Sequence, residues 1–155
     1  MAFITLSDYK PLLIQKIKSG YPVKNSTDWD IYIKNFPFDI YPEMKDIPIN
    51  DRHDQNGDEE YTPDTPVFKS FTSDVEFLCL SDKGTTLDKS ISLTEYLSHN
   101  GMNKIYDTYS GLGRTNVRYV KTSDAKLYKG ATQDILVFKV TFKFNDPITR
   151  ITLTL

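Results

Sequence analysis

The sequence predicts a mainly β domain, a β-barrel or sandwich of two sheets with one flanking α-helix. Three observations carry that reading: residues 136–144 alternate with a period of two, residues 67–80 do so over part of their length, and two short β-prone runs flank a glycine-containing connection at residues 110–113. Alternation is what a half-buried strand needs, because successive side chains point to opposite faces of the sheet.

The longest alternation sets Leu136, Phe138, Val140, Phe142 and Phe144 on one face and Lys139, Thr141 and Lys143 on the other. A slip of one residue would turn the Phe rings into water, so the register is firmly specified. Asn145-Asp146-Pro147 ends the run, since Asn and Asp favour turns and Pro cannot donate to a ladder. Beyond it Ile151, Leu153 and Leu155 predict a further strand. Upstream, Val75, Phe77 and Cys79 share a face opposite Asp74 and Glu76. Leu78 and Leu80 then blur the pattern, which predicts burial on both faces at that end. Residues 104–109 and 115–120 read as a hairpin around Ser110-Gly111-Leu112-Gly113, and Lys126-Leu127-Tyr128 as another short strand before a turn at Gly130.

One helix is marked by Ser92-Leu93-Thr94-Glu95, a capping box that places its start at Ser92. Leu93, Tyr96 and Leu97 fall on one face, Ile91 and Tyr96 can form a hydrophobic staple, and Gly101 suits a left-handed stop. A second, weaker helix is expected over Lys10–Ser19, with Pro11 in its first turn and Leu13, Ile14 and Ile17 on one side.

The chain of 155 residues suits a single domain, 1–155. Its 19 Lys+Arg against 21 Asp+Glu give a formal charge of −2, which argues against non-specific binding to nucleic acid or anionic membranes. No apolar run is long enough to span a bilayer, and the first residues lack the basic start and apolar stretch of a secretory leader, so neither is expected. Cys79 is the only cysteine, which excludes an internal disulfide and a thiolate zinc site and predicts a small buried hydrophobe. A reducing cytoplasm, or a particle assembled there, fits that usage. Asn25-Ser26-Thr27 matches the glycosylation triplet and is read as coincidence.

Between Phe36 and Pro66 the character changes. Pro37, Pro42, Pro48, Pro63 and Pro66 cluster there, and Asp51–Glu60 holds five acids to one Arg. A long exposed acidic loop over about residues 42–66 is expected, lying inside the domain. Residues 1–60 carry 7 basic and 11 acidic groups and residues 61–155 carry 12 and 10. Opposite-signed regions suit head-to-tail stacking of copies, and a merely solvated loop explains them as well.

No constellation for bond chemistry emerges. His53 and His99 are the only histidines, and no Gly-x-Ser-x-Gly elbow accompanies the many hydroxyls. Asp54, Asn56 and Gly57 mimic part of a calcium-binding hand, but Arg52 and Pro63 then fall on the first and twelfth ligand positions, so the match fails. A looser cation site from Asp51, Asp54, Asp58 and Glu59 stays open, and with it a metal-assisted enzyme. Gly111-Leu112-Gly113-Arg114 lacks the third glycine and the Lys-Ser/Thr of a phosphate loop. Arg114 and Arg118 with Tyr119 could stack on a ligand or simply face solvent, and Trp29 is either a core or an interface anchor.

The order of the second half is long strand, helix, hairpin, short strand, long strand and Asn-Asp-Pro. It runs through Pro66-Val67-Phe68-Lys69, Val75-Glu76-Phe77-Leu78, Leu93-Thr94-Glu95-Tyr96-Leu97, Ile105-Tyr106-Asp107, Gly113-Arg114-Thr115-Asn116-Val117-Arg118-Tyr119 and Val137–Pro147. This resembles the tail-tube-like domain of distal tail proteins and related baseplate proteins of long-tailed bacteriophages and prophages. Asp28-Trp29-Asp30 is similar to the short Trp-acidic segment that often precedes that domain. The resemblance covers about residues 28–147 and implies a homo-oligomer, a hexameric ring, around a channel. DNA passes through such a lumen without specific binding, and a net-negative protein suits that. It further implies contacts with other tail proteins, a place in the virion tail after assembly in the bacterial host cytoplasm, and no membrane. The acidic loop is longer than the pattern calls for.

The expectation is a structural subunit of a phage or prophage tail, working by assembly, with no catalysis and no cofactor or metal. Contacts with partners are expected at Trp29, Asp54, Asp58, Glu59, Glu60 and Arg114. The alternative is a small β-sandwich module that binds glycan or protein through Trp29, Tyr32, Tyr41 and the acidic loop.

Overall fold

The computed structural model describes residues 9–36, 42–46, 49–51, 56–60 and 64–155. In chain order these form β1 (Leu12–Lys16), β2 (Lys24–Asn25), a 3₁₀ turn (Ser26–Trp29), β3 (Ile31–Asn35), β4 (Ile49–Asp51) and β5 (Asp58–Glu60). There follow β6 (Phe71–Asp82), α1 (Thr86–Ser98), β7 (Asn103–Asp107), β8 (Leu112–Lys129) and β9 (Gln133–Phe144). Seven strands make one antiparallel sheet in the order β2-β1-β7-β8-β9-β6-β3, and β4–β5 pair apart from it.

β9 is an interior strand, between β8 and β6, and the most alternating segment. Its alternating residues Leu136, Phe138, Val140, Phe142 and Phe144 are buried, and Phe138 and Phe144 meet partner rings across the β6 ladder. Phe77 lies opposite Phe138 with ring centroids 5.6 Å apart, and Phe71 stacks on Phe144 at 4.8 Å. Such cross-strand aromatic pairs fix register as well as bury area. α1 lies against β6, β8 and β9, with Leu93 and Leu97 buried in the same core as Leu12, Ile14, Ile31 and Ile105.

The mainly β character and the flanking helix are as the sequence indicates. The sheet, however, is single and is not closed into a barrel. β8 explains its curl: it carries an extra residue at three register shifts, at 115–116 against β7 and around 120 and 124–125 against β9. Each bulge raises the local twist. The two sides of the sheet therefore approach without a ladder between them. Ile33 donates its N–H to Lys10 O at 2.9 Å. Ser26 Oγ accepts from Leu12 N–H at 2.9 Å and donates to Ile31 O at 2.8 Å. The 3₁₀ turn sits where further pairing would run, and β1 and β3 have only five residues each.

Four further expectations need correction. Residues 12–16 form a strand, not part of a helix, because a short apolar run takes its structure from its neighbours, here β2 and β7. α1 starts at Thr86, so the capping-box residues Ser92 and Glu95 lie inside it. Gly101 does adopt the left-handed conformation, at φ 91°. The segment after Pro147 is no strand; it is held by an isolated bridge of Arg150 to Arg114, by hydrogen bonds to Gly113 and Arg114, and by burial of Leu153. Residues 126–128 belong to β8 and do not form a separate strand.

The acidic region is also more than a loop. Lys45 N–H donates to Val67 O and Lys69 N–H to Glu43 O, both at 2.8 Å, with Met44 bridged to Phe68. Lys69 also pairs with Glu43 at 3.2 Å. These contacts bracket the stretch in which β4 and β5 pair, with Asp51 opposite Asp58.

Candidate functional site

The most unusual feature of the described residues is the outer half of β8. Leu112–Val117 pairs with β7 and meets β9 only at Val117, with the C-terminal segment reaching Gly113 and Arg114, whereas among the described residues Arg118–Lys129 pairs with β9 alone. That half leaves one backbone edge open and is exposed along nearly its whole length, with Val120, Leu127 and Tyr128 at 40%, 49% and 56% exposure. Its sequence explains the exposure: from Val120 to Lys129 there is no apolar alternation to turn toward a core. Arg118, Lys121, Lys126 and Lys129 are exposed, and among the described residues none makes an ion pair. Asp124, at φ 56° on a bulge, pairs instead with Lys139 at 3.7 Å. Gly130 N–H donates to Gln133 O at 2.9 Å and closes the β8–β9 turn, beside a depression of about 310 Å³ next to Leu80 and Tyr128.

The residues expected to meet partners do not converge. Trp29 is half-buried, its ring 5.5 Å from Tyr96 and its Nε1–H donated to Ser92 Oγ at 3.1 Å. Arg114 is buried and donates Nη1–H to Ile148 O at 3.1 Å, which ties the last segment to the sheet. The turn it reaches is kept anionic: burial raises the Asp146 carboxyl, but N–H groups of Thr149 and Ile148 more than offset that and hold it below the usual range. Asp58, Glu59 and Glu60 form β5. Asp54, with His53 and Tyr41, lies outside the described residues.

Two polar clusters went unseen in the sequence. Asp30, in the left-handed region at φ 56°, accepts from Lys89 and from Ser81 Oγ, while Lys89 Nζ donates to Ser81 Oγ at 2.7 Å. A serine beside a lysine suggests a nucleophile and its base. The hydrogen bond that Lys89 donates to Asp30 instead raises the Lys89 pKa and keeps it an ammonium, and Ser81 is buried, so the cluster ties the 3₁₀ turn, β6 and α1 together. Lys16 is the second. Its Nζ donates to Leu97 O at 3.1 Å and Gly101 O at 3.4 Å, closing the C-terminal end of α1, and lies 5.3 Å from the Tyr96 ring centroid. Burial lowers its pKa from 10.5 to about 8. Burial likewise raises the Cys79 thiol, which sits in the core as a small hydrophobe.

Among the described residues no three His, Cys, Asp or Glu side chains are placed to hold a metal ion, and no helix is long and apolar enough to cross a membrane. Comparison with protein-family models, curated proteins and solved structures finds no match to this chain.

Proposed function

We propose that the chain is a structural subunit of a bacteriophage or prophage tail (tube, distal ring or baseplate) that acts by assembling with further copies into a ring. The observation that carries the reading is the outer half of β8: a dozen residues, Arg118–Lys129, held as a strand with one edge unpaired among the described residues. Such a strand contributes little to the fold it grows from, and pairing with another chain satisfies the open backbone groups. The mainly β architecture and the resemblance in element order support the same reading. In this proposal a hexameric ring encloses a channel, neighbouring tail proteins stack on it, and the net charge of −2 keeps passing DNA from adhering. The proposed setting is the virion tail, assembled in the host cytoplasm.

The binding-module alternative gains no comparable support. Trp29 spends its ring on Tyr96 and its indole N–H on Ser92, which leaves less of it to serve as a platform for a glycan. Negative-stain imaging of the concentrated protein tests the proposal. Rings or short tubes of one diameter are expected; a field of particles no larger than a monomer at every concentration would overturn it.

A further inference from the structure

The sheet has two ends of opposite character, and the strand registers place them far apart. Phe71, Phe144 and Val117 align at one end, where β6 begins just after the paired residues 43–45 and 67–69 that bracket β4 and β5. Asp82 and Gln133 align at the other end, beside the β8–β9 turn, with Lys129 opposite Asp134 and Lys126 opposite Val137. Eleven residue steps separate Phe71 from Asp82, about 35 Å along the strands. The β4–β5 hairpin carries Asp51, Asp58, Glu59 and Glu60, and the open edge of β8 carries Lys121, Lys126 and Lys129.

The edge also excludes its own kind. Bulges and lysines are the usual defences of an exposed strand, and a second β8 laid on this one would bring lysines toward lysines. An acidic extended segment meets no such barrier. We infer that the outer edge of β8 docks the β4–β5 hairpin of a second copy of this chain, strand on strand and lysine on carboxylate. The contact is head-to-tail, so repeating it generates a ring if the rotation closes and a filament if it does not. The inference rests on the assembly reading above and names the surfaces through which assembly occurs.

The test uses two charge-reversed full-length chains, K121E/K126E/K129E and D58K/E59K/E60K, each checked for folding by circular dichroism. Mass is measured by light scattering at low ionic strength and at about 0.5 M salt, which screens exposed charges within a few ångströms. The wild-type chain is expected to assemble at low salt and to weaken about tenfold or more at high salt. Each reversed chain alone stays monomeric, and an equimolar mixture assembles again, because the reversed edge of one then meets the reversed hairpin of the other. If both reversed chains assemble like the wild type, or the mixture of two folded chains stays monomeric while the wild type forms rings, this interface is wrong and the ring proposal stands. A wild-type chain that stays monomeric in every condition overturns both.

Discussion

The two halves of β8 are one continuous strand with opposite fates. In Leu112–Val117, Gly113 and Arg114 are buried between β7 and the C-terminal segment, and Val117 between β7 and β9. In Arg118–Lys129 the same backbone runs on with one neighbour and an exposed surface. Hydrogen-bonded geometry alone does not make a strand part of a core; burial of alternate side chains does. The near half is fixed by packing inside its own chain, and the far half is left for contacts outside it.

The largest expected effect lies on the packed side. Phe142 is fully buried on β9 opposite Tyr119, and Phe142→Ala should cost about 3–5 kcal/mol in chemical denaturation. A loss below about 1 kcal/mol would mean that the core is looser than the burial indicates. Gly113→Ala comes next, because a Cβ there would meet the backbone oxygen of Ile151 at 2.1 Å. Either the C-terminal segment shifts or the sheet does, at about 2–3 kcal/mol, with faster amide exchange at Ile151 as the local sign.

Lys16 gives an effect that depends on pH. Its pKa is about 8 in the folded chain against 10.5 when unfolded, so between those values the unfolded chain binds more protons and stability rises with pH. From pH 8 to pH 10 the gain should be roughly 2 kcal/mol, and it should vanish in Lys16→Met. Tyr96, whose hydroxyl is raised by burial, acts in the opposite direction above about pH 10 and sets the upper limit of the window. A wild-type curve as flat as that of the variant would contradict the assignment. The smallest effect falls on the far half of β8: Leu127→Ser, at a site 49% exposed, should change monomer stability by less than about 0.5 kcal/mol.

Much of this fold was legible in the sequence, for identifiable reasons. β9 and β6 were read correctly because Leu136–Phe144 and Val75–Cys79 show a period of two that only a half-buried strand explains. The β7–β8 hairpin followed from its glycine-containing connection. β1 reads as helix in the sequence because Leu12-Leu13-Ile14 is buried at every position, which erases the period on which the choice depends. The start of α1 is hidden in the sequence because Ser92 and Glu95 imitate a cap, while the true N-cap, Thr85, makes no side-chain capping bond. The candidate site was less legible. Trp29 and Arg114 stood out as residue types, yet one packs on the helix and the other holds the chain end. The signal for the open edge was the loss of alternation from Val120 to Lys129 among four basic residues over 118–129, and it becomes meaningful only once β7 is seen to stop opposite Val117.

Amide hydrogen exchange across β8, followed over a concentration series, tests the central claim most directly. In dilute solution the amides of residues 112–117 should be protected and those of residues 118–129 that face away from β9 should exchange fast. As copies assemble, protection should extend along the far half while the near half stays unchanged. Fast exchange persisting in residues 118–129 after large species have formed would contradict the claim that this edge is where copies meet.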